Sequence, residues 1–234
     1  IVLHEQNAVA GLTNKWLAKI ATRVLQAFPK AFAKAEVVGN PVRESLFEQP
    51  EPKVRYQARQ AEDNLKVLVV GGSQGARVLN LMMPEVAKLA QQPLEIRHQV
   101  GQGNVENIQA RYPANSQVKV TEFIDDMAQA YAWADLVICR SGALTVCELA
   151  AVGTAAIFVP FQHKDQQQYL NACYLADVGA AIVVPQVELT AERITALLQQ
   201  LDRNKLAAMA ETAKNMAKPQ AAERVAEIII SVAK

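Results

Sequence analysis

No stretch of this chain is apolar for the ~18 residues that a bilayer-crossing helix requires. The longest candidates, 155–161 and 228–233, are strand-length or amphipathic. No signal peptide is visible, and there is no initiator methionine: Ile1-Val2-Leu3 reads as a buried strand. A protein rarely opens inside a core strand, so the chain is expected to be a fragment whose N-terminal part is absent. Cysteine is scarce. Cys139, Cys147 and Cys173 form no C-x-x-C pair, and an odd count closes no disulfide framework. Free thiols in a reducing cytoplasm are expected. A charge excess is lacking too. A net charge of +1, from 24 basic and 23 acidic residues, argues against general nucleic-acid binding, though it leaves room for a local basic patch. No His, Cys and carboxylate cluster has zinc spacing, and there is neither internal repeat nor low-complexity tract.

What the chain does have is apolar mass, 51% of 234 residues, enough core for one large domain or two small ones. From Lys66 onward strands and helices alternate. Val- and Ile-rich runs predict strands at 66–70, 95–100, 118–123, 135–139, 155–159 and 180–184, as in doubly covered parallel sheets. Helical patterns fall at 76–90, 105–111, 127–133, 144–152 and 166–176, with Pro84 expected to kink or break the first. The alternation predicts an α/β fold: a Rossmann-like parallel sheet with helices on both faces. Residues 190–234 read as helices, Pro219 marking the start of the last.

The first 40 residues differ. One helix is expected near 12–25, with Lys15, Lys19 and Arg23 as a basic stripe and Leu12, Trp16 and Ile20 as an adjacent apolar one. A core-facing helix with a solvated basic face fits this pattern; a membrane-surface role is the alternative. Residues 49–64, polar and with Pro50 and Pro52, read as a linker or exposed loop.

Three segments could carry chemistry, each following a strand. Gly71-Gly72-Ser73-Gln74-Gly75-Ala76 opens a helix; its glycines let backbone amides approach a phosphate, and a helix N-terminus favours an anion. The spacing is not G-x-G-x-x-G and the second strand lacks a terminal acid, which disfavours a dinucleotide. Arg140-Ser141-Gly142 leads into a second helix start, with Glu148 about a turn inside. Free amides there suit a diphosphate, and an ionised carboxylate can accept two ribose hydroxyls; taken alone, Glu148 reads first as a first-turn acid serving the helix dipole. Phe161-Gln162-His163-Lys164-Asp165 precedes Gln166, Gln167 and Gln168, whose amides suit sugar hydroxyls or an ordinary polar surface. His163 reads as a loop histidine rather than a metal ligand. Loops at the C-terminal ends of parallel strands converge on one crevice, so the three can share one nucleotide.

These segments, together with His4-Glu5-Gln6-Asn7, Gly39-Asn40-Pro41-Val42-Arg43 and Thr121-Glu122-Phe123-Ile124-Asp125-Asp126-Met127, occur in an order that closely resembles the MurG family of two-domain GT-B glycosyltransferases. The resemblance spans essentially the whole chain but corresponds to the family's later two-thirds. It implies residues 1–42 as a remnant of an N-terminal acceptor and membrane-side domain and 43–64 as linker. It implies 65–218 as the UDP-sugar donor domain and 219–234 as a helix packing back on the first part.

By the same resemblance, Ile124 would meet uracil through its backbone and Arg43 would reach the base. Ser73 and the helix start Ala143, Leu144, Thr145, Val146 would hold the diphosphate. Glu148 would take the ribose hydroxyls, and Gln167, Gln168 and Asn7 the N-acetylglucosamine. Cys147 stands where relatives often carry a small hydroxyl residue, so a contact there must be through the backbone. The implied reaction moves N-acetylglucosamine from UDP-N-acetylglucosamine to the muramyl 4-hydroxyl of a polyprenyl-diphosphate-linked pentapeptide, with inversion. It needs no cofactor or metal, in keeping with the absence of D-x-D; Asp125-Asp126 more simply caps the next helix. The catalytic base is expected in the absent N-terminal part, since His4 and Glu5 fit loop shaping better than proton abstraction, and the fragment alone is expected to be inactive. The family's setting is the cytoplasmic face of the bacterial inner membrane. Two alternatives stay open: a UDP-N-acetylglucosamine 2-epimerase on a related fold, and a non-catalytic UDP-sugar-binding module.

Overall fold

The computed structural model describes residues 1–72 and 74–233. Strands β1 (Val2–Glu5), β2 (Arg23–Gln26) and β3 (Glu36–Val37) form a small parallel sheet in that order, Leu3 opposite Val24 and Leu25 opposite Glu36. Between β1 and β2 lies α1 (Leu12–Leu17), which corrects the longer helix expected near 12–25. The amides of Thr22 and Arg23 donate to the Ile1 carbonyl at 2.8 and 3.2 Å. Pairing with a strand far away in sequence thus ends the helix, and a helix this short has little propagation to oppose it. Arg23 lies in a strand, so the expected basic stripe does not form. The apolar stripe does not face the core either: Leu12, Trp16 and Ile20 are 73%, 62% and 67% exposed, and Lys19 Nζ stands 4.0 Å from the centre of the Trp16 ring.

The segment expected as a polar linker is also structured. A 3-10 turn (Glu44–Leu46) buries Leu46, and α2 (Pro52–Ala58) follows, with Pro52 in its first turn. Its buried polar side chains explain the error. The Arg55 guanidinium donates to the carbonyls of Ala132, Val152 and Gly153 at 3.2, 2.9 and 2.5 Å. The Tyr56 hydroxyl donates to the Asp135 carbonyl at 2.5 Å, and Arg59 pairs with the buried Asp135 carboxylate at 3.0 Å. Composition cannot separate residues that are polar because they face water from residues that are polar because they satisfy distant carbonyls.

The second sheet holds β4 (Leu65–Val70), β5 (Leu94–Gln99), β6 (Gln117–Thr121), β7 (Leu136–Cys139), β8 (Ala156–Phe158) and β9 (Ala181–Val183). All six strands fall where the apolar runs place them. They run parallel in the order β6-β5-β4-β7-β8-β9. The chain therefore builds outward from β4 in one direction and then returns to build outward in the other. The crossovers are α3 (Arg77–Leu89), α4 (Val105–Gln109), α5 (Met127–Trp133), α6 (Ala143–Val152) and α7 (Gln167–Ala176). Pro84 is buried within α3 and does not break it. Alternate residues of the central strands supply two cores. Leu68, Val137, Cys139 and Phe158 pack with Tyr131 of α5 and with Val146 and Leu149 of α6. Val67, Val69, Leu136, Ile138 and Ile157 pack on the other face with Leu79 and Met83 of α3. Side chains alternating across fully covered strands give this two-sided burial.

Three helices complete the chain: α8 (Ala191–Gln200), α9 (Arg203–Asn215) and α10 (Ala221–Ala233), with Pro219 two residues ahead of α10. Ile228 of α10 packs on Leu25 and Val38 of the small sheet, and Arg224 pairs with Glu36 at 2.7 Å.

Candidate functional site

The strand order reverses between β4 and β7, and loops leaving such neighbours in opposite directions open a crevice at the C-terminal edge of the sheet. The loop after β4 is shaped by its glycines. Gly72 and Gly75 have φ of +87° and +71°. A Cβ at Gly75 would lie 2.1 Å from the Val100 carbonyl oxygen, so the loop packs tightly on the end of β5. Gln99, buried at that end, donates to the Gly72 and Glu122 carbonyls at 3.0 and 2.8 Å. Ser73 lies outside the described residues.

The loop after β7 runs Arg140-Ser141-Gly142 into α6. Gly142 caps that helix in an extended conformation with no side-chain hydrogen bond; its carbonyl takes the Val146 amide at 3.0 Å, so the amides left without an intrahelical acceptor are those of Ala143, Leu144 and Thr145. Leu144 is exposed, Ala143 and Thr145 are half-buried and Val146 is buried, so the polar groups of this turn are its backbone amides and the Thr145 hydroxyl. Arg140 is held behind the loop, donating to the Val159 carbonyl and to Gln186 Oε1 at 2.9 and 2.8 Å.

The loop after β8 leads through Gln166, left-handed at φ +54°, into α7. Gln168 joins this loop to the previous one. Its carbonyl accepts the buried Ser141 hydroxyl at 2.7 Å, and its side-chain oxygen accepts the Phe161 amide at 2.8 Å. Gln167 is half-buried, with its amide donating to Asp165 at 3.2 Å.

Two further segments carry residues that the resemblance assigns to the site. Asn7 follows β1, where the buried Glu5 carboxylate accepts from the Asn7 amide, the Asn7 side chain, the Gly11 amide and the Asn14 side chain at 2.8 to 3.4 Å. His4 Nε2 hydrogen-bonds the Gly39 carbonyl at 2.9 Å. Both residues thus shape the loop that carries Asn7, as the sequence reading favoured. Arg43, exposed, is close enough to Glu148 for its charge to act on that carboxylate. Burial raises the Glu148 pKa above the ordinary carboxylate value, while the Tyr131 hydroxyl, donating to Oε2 at 3.1 Å, and the Arg43 charge oppose the rise. Ile124 sits half-buried on the core beyond β6, beside a cavity of about 330 Å³ lined also by Arg97, Lys119, Phe123 and Gln129.

Cys147 faces elsewhere. Its thiol lies 3.5 Å from Asn40 Nδ2, and burial pushes its pKa up to about 11, so it stays neutral and packs against the small sheet's loop. Asp126 caps α5 by accepting the Gln129 amide at 2.9 Å, as its position suggested. Among the described residues, no group of three His, Cys, Asp or Glu side chains could hold a metal.

Hydrogen bonds tie Asn7, the loop before α6 and Gln168 together through Ser141 and Asn171, and Arg43 lies near Glu148, whereas Ile124 lines a separate groove beyond β6. Sequence reasoning missed Tyr131 and Asn171. Asn171 is fully buried: it accepts the Ala8 amide at 2.8 Å and donates to Asn7 Oδ1 and the Ser141 carbonyl at 3.2 and 3.3 Å. It follows Gln168 by three positions and so shares its helix face, a signal that could have found it.

A six-stranded parallel sheet in this order, with a glycine loop and a helix start without a side-chain cap at its switch point, is a Rossmann-like domain of the kind that forms one half of the GT-B fold. The glycosyltransferase family 28 C-terminal domain matches residues 66–227. A relative from Pasteurella multocida, named UDP-N-acetylglucosamine--N-acetylmuramyl-(pentapeptide) pyrophosphoryl-undecaprenol N-acetylglucosamine transferase, is 67% identical over all of this chain and 65% of its own length. The crystal structure of Acinetobacter baumannii MurG superposes with a TM-score of 0.90 at 42% identity, over 98% of this chain and 66% of that one. The UDP-GlcNAc 2-epimerase from Neisseria meningitidis bound to UDP-GlcNAc, with a TM-score of 0.56 and 15% identity over 85% of this chain and 55% of its own, shares the fold alone. The chain belongs to glycosyltransferase family 28 and, within it, to the MurG transferases. It spans about 65% of the length of the curated relatives it matches.

Proposed function

We propose that this chain carries the donor site of an inverting transferase that moves N-acetylglucosamine from UDP-N-acetylglucosamine to the 4-hydroxyl of a lipid-linked muramyl-pentapeptide in peptidoglycan synthesis. The observation that carries the reading is the convergence of the glycine loop, the α6 first turn and Glu148 at one switch point in a MurG-family chain. The diphosphate lies against the free first-turn amides of Ala143, Leu144 and Thr145, where the helix dipole favours negative charge; Val146, buried and with its amide on the Gly142 carbonyl, drops out of that set. The resemblance assigns Ser73 to the diphosphate as well, a residue outside those described. Glu148 accepts the ribose hydroxyls; Ile124 and Arg43 face the uracil; Asn7, Gln167 and Gln168 face the sugar. In the reaction the acceptor oxygen bonds to the anomeric carbon from the face opposite UDP, the bond to the diphosphate oxygen breaks, and a base takes the acceptor proton. The helix start stabilises the charge gathering on the departing UDP. The four donors on the buried Glu5 carboxylate and the bond from His4 Nε2 to the Gly39 carbonyl support a loop-shaping role for both and a base in another part of the protein.

In this reading residues 1–42 and α10 form part of an acceptor-side lobe, 43–64 the connection and 65–218 the donor lobe. The cytoplasmic face of the inner membrane is the proposed location. Exposed Leu12, Trp16 and Ile20 beside Lys15 and Lys19 support contact with an anionic lipid surface. The family membership favours transfer over epimerisation. Product analysis by mass spectrometry separates them: with the muramyl lipid acceptor present, the full-length protein yields the disaccharide lipid and UDP. Formation of the manno epimer without an acceptor would replace this reading with the isomerase.

A further inference from the structure

Tyr131 projects from α5, and its ring is fully buried in the core that supports α6. It is pinned to α6 at both ends. Its hydroxyl donates to Glu148 Oε2 at 3.1 Å, and its main-chain carbonyl accepts the hydroxyl of Thr154, just past the end of α6, at 3.1 Å. The titratable groups whose charge bears on the Glu148 carboxylate are Tyr131 from α5, Arg43 from the segment before the first 3-10 turn, Cys139 from β7 and, one position back in α6 and turned towards Asn40, Cys147. Burial keeps Cys139 and Cys147 protonated, and among the described residues no cation is within ion-pair distance of Glu148.

A carboxylate turns easily about its last bond. Two vicinal hydroxyls are best met by a carboxylate whose plane is fixed, each oxygen accepting one of them. A donor on one lone pair of Oε2 fixes that plane and leaves the second lone pair and Oε1 available. We propose that Tyr131 is a positioning residue that orients the Glu148 carboxylate to accept the 2′- and 3′-hydroxyls of the nucleotide's ribose. This rests on the ribose role of Glu148 given above.

The test is titration calorimetry on the full-length protein with UDP and with 2′,3′-dideoxy-UDP. Tyr131→Phe keeps the ring and removes the donor. It should weaken UDP about three- to tenfold and leave the dideoxy nucleotide within about twofold, and its effect should vanish in a Glu148→Ala background. Removing a donor that favours the ionised carboxylate also moves the acid limb of UDP binding to higher pH. Replacing the tyrosine by 3-fluorotyrosine, a stronger donor of similar size, moves the limb the other way and serves if the phenylalanine variant does not fold. Equal weakening of both nucleotides, weakening that persists without Glu148, or an unchanged acid limb would overturn the proposal. If Glu148→Ala itself leaves UDP and dideoxy-UDP unaffected, the ribose role fails and takes this inference with it.

Discussion

Asn171 Nδ2 donates to Asn7 Oδ1 at 3.2 Å, joining the helix after β8 to the loop after β1 across 164 residues of sequence. The same side chain accepts the Ala8 amide and donates to the Ser141 carbonyl. One buried amide thus holds together the small sheet's loop, the loop before α6 and the face of α7 that bears Gln168.

Asn171→Ala should therefore act on the sugar end of the ligand more than on the nucleotide end. The variant releases Asn7 Oδ1, leaving the Asn7 side chain held by Glu5 alone, while Glu148 keeps its bond from Tyr131. UDP-N-acetylglucosamine should lose about tenfold in affinity and UDP less than about threefold, alongside a stability loss of about 1–3 kcal/mol from unpaired buried groups. Parallel titrations and urea melts read both; equal losses for the two ligands would show that Asn171 serves the fold alone.

Arg55 makes a second prediction, on stability. Its guanidinium satisfies the carbonyls of Ala132, Val152 and Gly153, and Lys214 Nζ adds a bond to the Ala151 carbonyl at 2.7 Å. These cations stand at the C-terminal end of α6, where the helix dipole favours positive charge. Arg55→Ala leaves the Val152 and Gly153 carbonyls without their side-chain donor, Ala132 keeping Arg59, and should cost about 2–4 kcal/mol in chemical denaturation. Arg55→Lys, unable to span three carbonyls, should recover only part of it. A loss under about 0.5 kcal/mol for the alanine variant would contradict this account of α2.

How much of this was legible beforehand depended on how local the cause was. The six strands of the larger sheet were visible because β4 and β7 are covered on both faces and must be apolar at consecutive positions. The helix expected over 12–25 failed because Arg23 answers to Ile1 in a neighbouring strand, a pairing that helical periodicity does not register. The linker failed because Arg55 and Tyr56 are buried against carbonyls about 77 to 98 positions away. Glycine loops, helix starts and Glu148 stood out as motifs. Tyr131 and Asn171 did not, since a tyrosine in a helical core pattern and an asparagine after two glutamines look ordinary until the fold shows what they touch.

His98 gives a pH prediction. It is fully buried on β5, with Nδ1 2.8 Å from the Tyr112 hydroxyl, and burial lowers its pKa from 6.5 to about 4. The native state holds it neutral, whereas the unfolded state takes up a proton near pH 6.5, so the unfolded form binds more protons below that value. Stability should fall as pH drops from about 6.5 towards 4, by up to about 3 kcal/mol. Urea denaturation at pH 7 and at pH 4.5 measures it. His98→Gln should flatten the slope over this window; an unchanged slope would mean that other groups set the acid sensitivity.

The central claim is that the crevice between the loops after β4 and β7 holds a uridine diphosphate sugar with Glu148 on the ribose. Titration of UDP-N-acetylglucosamine into the wild-type chain and into Glu148→Ala tests it most directly. The account predicts one site per chain and a loss of about 1.5–3 kcal/mol in the variant, roughly ten- to 150-fold in affinity, from a removed pair of charge-assisted hydrogen bonds. No binding to the wild type, or equal affinity in the two proteins, would contradict it.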